Sequence, residues 1–188
     1  MKKCLTPVLT FLLTICVIFS SAPVSAAAYN IDFTLNSEAA LLVNLDTSTV
    51  VFEQNADKKM EPASTTKIMT FIVASEQIKD LSGTKITAKK SVLDQLQGTG
   101  SSLSGVLEGE ELTALQLLNC LMVPSGNDAA MVLADYIGGG DISKFVDLMN
   151  EKAKELGCKN THFANPHGLH DDQHYTCLLY TSPSPRDA

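Results

Sequence analysis

The period of the hydrophobic residues changes at residue 64, and this change limits the folds that are open to the chain. Two β-rich runs, residues 39–45 and 49–53, flank a short polar turn at residues 46–48, and this pattern predicts a β-hairpin. From Ser64 the apolar residues recur with helical spacing, which predicts a helix over residues 64–79. The chain therefore mixes strands and helices, and the hairpin leads through a polar loop into the helix.

Helical spacing of apolar residues predicts three further helices, over residues 114–123, 127–137 and 142–156. Thr113 and Gln116 match a capping box, in which each side chain satisfies a free backbone donor at a helix start. Asp141 is expected to cap the third helix, and Gly157 to end it. The middle of the chain is therefore predicted to be mostly helical.

The first residues have the composition of a secretory signal. Two lysines precede an apolar run over residues 8–19, and small residues follow that run. The run is shorter than the roughly 20 residues that a membrane span needs. We therefore expect an exported protein whose signal peptide, residues 1–26, is cleaved after Ala26, with Ala28 as the next choice. An uncleaved membrane anchor is the alternative.

The last residues differ abruptly from the body of the chain. Residues 177–187, CLLYTSPSPRD, show neither helical nor strand periodicity, and they resemble a translated sequencing adapter. We therefore expect residues 177–188 to be non-native and the natural protein to continue beyond Thr176. A disordered C-terminus is the alternative.

Charge and cysteine content narrow the function classes. The formal net charge of −7 argues against a nucleic-acid partner, because the chain lacks a basic stripe that could displace counterions from phosphates. Outside the predicted signal peptide and tail, only Cys120 and Cys158 remain. A disulfide between them would suit an exported protein, but Cys120 lies in an apolar helical pattern, where a free thiol is the commoner state.

Two Ser-x-x-Lys pairs occur, Ser64 with Lys67 and Ser82 with Lys85. The spacing alone is a weak signal, because a chain of this length contains about one such pair by chance. Only Ser64 and Lys67 stand at the start of a predicted helix, where side chains three residues apart lie on one face and can touch. We therefore take Ser64 as a candidate nucleophile. The alternative is that Ser64 is an ordinary N-cap and Lys67 a solvated helix residue.

A lysine can act as a base only when its amine is neutral. With an ordinary pKa of about 10.4, only about one lysine in 2,500 is neutral at pH 7, a handicap of roughly 4–5 kcal/mol. A catalytic Lys67 must therefore be desolvated, or crowded by another cation, so that its pKa falls toward neutrality. The helix start adds partial positive charge and a backbone N–H that could meet a developing oxyanion.

The sequence PSGND at residues 124–128 separates two predicted apolar helices. A tight turn here would hold the hydroxyl of Ser125 and the amide of Asn127 rigidly, although by itself the motif is only a turn followed by an Asn cap. Together with Ser64 and Lys67 it supplies two parts of the set Ser-x-x-Lys, Ser-x-Asn and Lys-Thr-Gly, which is typical of penicillin-binding proteins and β-lactamases.

Three stretches in this order, EPASTTKIMT, LMVPSGNDAAMVLADYIGG and FANPHGLHDDQHYT, resemble the serine-type D-alanyl-D-alanine carboxypeptidases, the low-molecular-mass penicillin-binding proteins. The resemblance implies that residues 30–176 form the N-terminal part of such a catalytic domain. It implies that Ser64 is the acylated nucleophile and Lys67 its general base. Ser125 and Asn127 become the pair that relays a proton and orients the substrate.

The resemblance also implies a fold, a substrate and a location. The fold is of the α/β (α+β) class, β-lactamase/DD-peptidase-like, with an antiparallel sheet flanked by helices and a helical subdomain, incomplete in this chain. The substrate is the D-alanyl-D-alanine end of peptidoglycan stem peptides outside the bacterial cytoplasm, in the cell envelope, and β-lactam antibiotics would acylate the same serine. No cofactor or metal is expected. Membrane association through a C-terminal segment is a further expectation.

The third motif of the family is absent, because no Lys-Thr-Gly or Lys-Ser-Gly triplet occurs. In the family this triplet lies on a strand that borders the cleft and binds the substrate carboxylate. Loss of a single oxyanion donor can cost roughly 10²–10³ in rate. We therefore expect this chain by itself to be inactive or nearly so.

Two other functions remain open from the sequence. The histidines at positions 162, 167, 170 and 174, with Asp171 and Asp172, have spacings that could suit zinc, which would indicate a metallohydrolase. The missing triplet would also suit a non-catalytic module that binds penicillin or senses the cell wall.

Overall fold

The computed structural model describes residues 35–47 and 49–177 of the 188-residue chain. The predicted signal peptide lies outside the described residues, as does the predicted tail from residue 178 onward. In the part of the chain that is described, no helix is both long enough and apolar enough to cross a membrane.

The predicted hairpin is confirmed. Strand β1, Ala40–Asn44, pairs antiparallel with strand β2, Thr49–Gln54. The pairing register shifts between Leu42 and Val43, so the ladder is irregular there. After the hairpin, Met60 forms an isolated antiparallel bridge with Thr176, which is distant in sequence. This bridge brings the end of the described chain next to the loop that leads to Ser64.

The first helix begins later than its sequence pattern predicts. A 3₁₀ turn, Ala63–Thr65, comes first, and helix α1 runs over Thr66–Gln77. The helix ends because Ile78 takes an extended conformation, with φ −105° and ψ 104°. Helical periodicity of side chains does not distinguish a 3₁₀ turn from the first turn of an α-helix, which accounts for the difference at the start.

A second antiparallel pair lies where the sequence predicts no regular element. Strand β3, Lys85–Thr87, pairs with strand β4, Glu111–Thr113. A one-turn helix, α2, covers Lys90–Leu93, and a 3₁₀ turn follows at Asp94–Leu96. Each of these elements is only three or four residues long, and hydrophobic periodicity cannot be read over so few positions.

The three remaining helices match their sequence patterns closely. They are α3, Ala114–Met122, α4, Asn127–Ile137, and α5, Ile142–Glu155. The capping box is present, with the backbone N–H of Gln116 donating to the Thr113 hydroxyl at 3.2 Å and the backbone N–H of Thr113 donating to Gln116 Oε1 at 2.8 Å. Asp141 caps α5 by accepting from the Ser143 N–H at 3.0 Å, and Gly157 follows the helix with φ +76°.

Helix α1 lies between two groups of buried apolar side chains, and this position determines the site. One group, which includes Leu117, Leu121 and Leu133, joins α1 to α3 and α4. The other, which includes Phe145 and Phe163, joins α1 to α5 and to the segment that follows α5. Because helix α1 is held from both sides, its first turn has a fixed position relative to the α3–α4 turn and to the segment after α5.

The two cysteines that could pair remain free thiols. Cys120 and Cys158 are both half-buried, and neither forms a disulfide. The favoured expectation of free thiols therefore agrees with the structure.

Candidate functional site

Ser64 lies exposed at the middle of the 3₁₀ turn that precedes α1. The N-cap position of α1 is occupied by Thr65, whose side chain makes no cap hydrogen bond. The Ser64 hydroxyl accepts a hydrogen bond from Lys67 Nζ at 3.3 Å. The alternative in which Ser64 is an ordinary N-cap is therefore wrong, and the contact expected between Ser64 and Lys67 is confirmed.

Lys67 is buried, with 2% of its surface exposed. Its ammonium donates to the backbone carbonyl of His167 at 3.0 Å, as well as to Ser64. Burial lowers the pKa of Lys67 to about 8, although the negative charge of Asp128 works in the opposite direction. A lysine with this pKa is neutral about one time in ten at pH 7, so most of the ordinary handicap is removed.

The second Ser-x-x-Lys pair shows what the same spacing gives in another setting. Lys85 lies on strand β3, is exposed, and forms an ion pair with Glu111 at 2.8 Å. The hydrogen bond and the charge of Glu111 raise the pKa of Lys85. Lys85 is therefore held in its protonated form, whereas burial shifts Lys67 toward the neutral form, so the lysines of the two pairs differ in their surroundings.

The backbone around Ser64 leaves one amide free. Ala63 has φ +46°, an uncommon value for a residue with a side chain, and it turns the chain sharply into α1. The Ser64 N–H has no hydrogen-bond acceptor among the described residues. It lies at the positive end of the helix, where an oxygen that gains negative charge would be stabilised.

The α3–α4 turn presents the second pair of predicted site residues. Ser125 has φ +60°, and Asn127 is buried, with 4% exposed. The Asn127 N–H donates to the Ser102 carbonyl at 2.9 Å, which fixes the turn against residues 102–106. Within the described part of the chain the side chains of Ser125 and Asn127 form no hydrogen bonds. Both therefore remain available to a ligand.

The segment after α5 forms the other support of the first helical turn. Thr70 Oγ1 donates to the Pro166 carbonyl at 2.6 Å, one residue before the carbonyl that Lys67 contacts. The side-chain oxygen of Asn165 accepts from the N–H of Gly168 at 2.7 Å and thereby closes a tight loop. This loop brings the His167 carbonyl to the Lys67 amine.

His174 is a buried histidine whose tautomer follows from its contacts. Nδ1 accepts from the Ala164 N–H at 2.9 Å, so the ring proton lies on Nε2, which donates to Thr66 Oγ1 at 2.7 Å. Burial lowers the pKa of His174 to about 4, and the pKa of His167 likewise falls to about 4. Both rings are therefore neutral at pH 7. His174 connects the end of the described chain to the first residue of α1.

Residues 23–182 match the family of D-alanyl-D-alanine carboxypeptidases. The chain belongs to this family. The family resemblance inferred from the three sequence motifs is thereby confirmed.

Curated members of the carboxypeptidase family are similar over most of this chain. It is 38% identical over 140 residues to the D-alanyl-D-alanine carboxypeptidase DacF of Bacillus subtilis, a match that covers 74% of this chain and 36% of that protein. It is 35% identical over 148 residues to DacA of Escherichia coli, with 76% of this chain and 36% of DacA covered. The chain thus spans about a third of the length of these relatives.

Solved structures of the family share the fold. The Streptomyces K15 DD-transpeptidase superposes with a TM-score of 0.75 at 31% identity, covering 82% of this chain and 61% of that one. The D-alanyl-D-alanine carboxypeptidase DacD of Francisella tularensis gives a TM-score of 0.73 at 37% identity, covering 89% of this chain and 40% of the other. The expected α+β, DD-peptidase-like fold is confirmed.

The predicted site residues fall into two groups in this family member. Ser64 and Lys67 are in direct contact. Ser125 and Asn127 share a rigid turn but make no side-chain hydrogen bond to that pair. The electrostatic effect of Asp128, next to Asn127, on Lys67 connects the two groups.

The four histidines do not form a metal site. In residues 35–47 and 49–177, no group of three or more His, Cys, Asp or Glu side chains could hold a metal ion. His174 bonds to Thr66, His167 Nδ1 accepts from the Leu169 N–H at 3.2 Å, and His170 Nδ1 lies 2.7 Å from Glu61. The metallohydrolase interpretation therefore has no support in the described residues.

Sequence reasoning missed the groups that surround the lysine. The carbonyl of His167 and the imidazole of His174 lie 100 and 108 residues away from their partners. The residue type does not show which backbone carbonyl will accept a hydrogen bond, and the spacing of the histidines suggests zinc ligands but not a contact with Thr66. The sole available signal was the family motif around NPHGL, which marks the segment but not its contacts.

We expect Gly168→Ala to destabilise the protein because the new methyl group has no room. Gly168 has φ +92°, and a Cβ there would lie 1.8 Å from the carbonyl oxygen of Ala63. Gly100→Ala is the matched control, because Gly100 has φ +65° and no atom within 4 Å of such a Cβ. Urea unfolding should place Gly168→Ala about 1–3 kcal/mol below Gly100→Ala in stability. Equal losses in the two variants would show that the loop does not pack on the turn before α1.

We expect the protein to lose stability as the pH falls from about 6.5 to about 4. His167 and His174 have a folded-state pKa of about 4, below the ordinary value of 6.5. In this pH window the two imidazoles are protonated in the unfolded chain but stay neutral in the folded chain. Protonation therefore favours unfolding, and each ring can lower the free energy of unfolding by about 2–3 kcal/mol. Unfolding measured in steps of pH should show a smaller slope for His174→Gln than for the wild type. An unchanged slope would contradict the neutral, buried imidazole.

Proposed function

We propose that the protein is a serine D-alanyl-D-alanine carboxypeptidase that acts through an acyl-enzyme on Ser64. The observation that carries the proposal is the buried amine of Lys67 in contact with the Ser64 hydroxyl, at 3.3 Å. A desolvated lysine at this distance can remove the serine proton near neutral pH, which an exposed lysine cannot. Membership of the carboxypeptidase family supports the same reaction.

The first step follows from this contact. Neutral Lys67 takes the proton of the Ser64 hydroxyl, and the Ser64 oxygen attacks the carbonyl carbon of the penultimate D-alanine. The carbonyl oxygen becomes an oxyanion, which the free N–H of Ser64 can stabilise at the helix start. The peptide bond then breaks, the terminal D-alanine leaves with a proton on its amine, and water later releases the acyl group from Ser64.

Ser125 and Asn127 are proposed to serve the leaving group and the substrate. The Ser125 hydroxyl would carry the proton from Lys67 to the departing amine. The side-chain amide of Asn127, which makes no hydrogen bond in the described chain, would hold the backbone of the stem peptide.

The proposed partners are peptidoglycan stem peptides and β-lactams, which would acylate the same serine. The place of action is the cell envelope outside the cytoplasm, in agreement with the predicted export signal. Membrane association through a C-terminal segment stays a prediction from the family resemblance, as does a strand with Lys-Thr-Gly that borders the cleft. The experiments below therefore use the protein expressed from its whole gene.

Labelling with a fluorescent penicillin tests the nucleophile. We expect the wild type and Ser82→Ala to be labelled, and Ser64→Ala to lose the label, since only Ser64 has a buried lysine beside it. Mass spectrometry of the labelled peptide should place the adduct on Ser64. Label retained in Ser64→Ala would overturn the assignment, whatever the effect of Ser82→Ala. Release of D-alanine from a peptide ending in D-Ala-D-Ala, absent in Ser64→Ala, separates the carboxypeptidase from a module that only binds penicillin.

The rate of acylation should rise with pH through the pKa of Lys67. Below about pH 8 the amine is mostly protonated, and each unit of pH removes about nine tenths of the neutral form. Stopped-flow or gel measurement of the labelling rate between pH 6 and 9.5, with penicillin well below saturation, gives the midpoint. A rate independent of pH over this range would exclude Lys67 as the general base.

A further inference from the structure

Asp128 is a buried carboxylate that, among the residues the structure describes, forms no ion pair with a lysine or arginine. It is 3% exposed and belongs to the first turn of α4. Burial of a charge without compensation costs several kcal/mol, so the surroundings of Asp128 must supply the compensation. They do so through hydrogen bonds from one short segment of chain.

The carboxylate of Asp128 accepts five hydrogen bonds of 2.8–3.0 Å. Four come from residues 104–106: the N–H and hydroxyl of Ser104, and the N–H groups of Gly105 and Val106. The fifth comes from its own neighbour, Ala129. Burial would raise the pKa of Asp128, but these hydrogen bonds outweigh it and hold the pKa below its ordinary value. The group is therefore a charged clamp on residues 104–106.

The clamp acts on the turn that carries Ser125 and Asn127. Ser102, just before the clamped residues, accepts from the Asn127 N–H at 2.9 Å and donates its hydroxyl to the Pro124 carbonyl at 2.9 Å. Gly126 permits this close approach, because a Cβ there would lie 2.7 Å from the Cβ of Ser104. The position of the turn thus depends on a segment that Asp128 holds in place.

The negative charge of Asp128 also acts electrostatically on the lysine of the site. The ionisable groups that act on Lys67 in the described structure are Asp128, which favours the ammonium, and His167, which is neutral. Asp135 provides a comparison on the same helix. It is buried too, but its carboxylate forms an ion pair with Lys89 at 2.7 Å and does not act on Lys67.

We propose that Asp128 is a positioning residue of the site: its carboxylate fixes the Ser125–Asn127 turn against residues 102–106. Only the catalytic consequence of this positioning rests on the proposed function. Two physical consequences of the carboxylate, the rigidity of residues 104–106 and the protonation of Lys67, can be measured without turnover.

The test compares Asp128→Asn with Asp135→Asn in the protein expressed from its whole gene. The two variants remove a buried carboxylate from the same helix, but only Asp128 contacts residues 104–106. We expect Asp128→Asn to speed amide exchange at Ser104, Gly105 and Val106 by about tenfold or more, because an amide group cannot accept all four hydrogen bonds. Asp135→Asn should leave exchange at these three amides within about twofold of the wild type, after correction for global unfolding.

The second readout is the titration of Lys67, followed by NMR of lysine labelled with ¹³C at Cε and assigned with Lys67→Arg. The midpoint should be about 8 in the wild type and lower in Asp128→Asn, and it should stay at the wild-type value in Asp135→Asn. A purely structural role for Asp128 would change amide exchange but not this midpoint. An unchanged midpoint in Asp128→Asn, or an equal fall in Asp135→Asn, would overturn the proposal.

Asp128→Glu keeps the test decisive if Asp128→Asn does not fold. Glutamate retains the charge but displaces the carboxylate by one methylene. We expect Lys67 to titrate close to its wild-type midpoint, whereas the backbone amides of residues 104–106 should exchange faster than in the wild type. Amide exchange at these residues as slow as in the wild type would contradict the positioning role. Failure of penicillin to label Ser64 would refute the proposed function and leave these two measurements intact, so the two ideas fail separately.

Discussion

The site depends on the burial of one amine. Lys67 can be both close to Ser64 and largely desolvated only because the His167 carbonyl accepts one of its hydrogen bonds at 3.0 Å. A buried ammonium without such an acceptor would be too costly, and a lysine with full hydration would stay protonated. The His167 carbonyl therefore meets two opposing requirements, which are a stable buried amine and a lowered pKa. It stabilises the buried amine without adding the negative charge that would restore an ordinary pKa.

The geometry that achieves this balance is strained, and the strain lies beside the reactive groups. Ala63 and Ser125 both adopt positive φ, which costs a residue with a side chain roughly 1–2 kcal/mol. Neither conformation would persist in an isolated turn. The loop at Gly168 holds the first, since Gly168 lies against the Ala63 carbonyl, and residues 102–106 hold the second. Packing elsewhere in the molecule thus compensates for local strain at the site.

Local features of the chain were predictable, and contacts between distant residues were not. The hairpin, the capping box at Thr113 and the end of α5 at Gly157 follow from rules that act over a few residues. The proximity of Ser64 and Lys67 follows from helical spacing in the same way. Strands β3 and β4 were not predictable, because each has only three residues and the two strands are separated by more than twenty residues in the sequence. The roles of the His167 carbonyl, His174 and Asp128 depend on tertiary contacts that no local pattern encodes.

The distance in sequence between Lys67 and its carbonyl acceptor has a consequence for how the protein is made. Synthesis proceeds from the N-terminus, and 100 residues separate Lys67 from His167. Until that loop closes, the amine is in water and is neutral only about once in 2,500 molecules at pH 7. Ser64 in a nascent chain is then no more nucleophilic than Ser82. The reactivity proposed for Ser64 is therefore acquired on folding, and a chain that is still being synthesised or refolded would not yet have a serine that can be acylated.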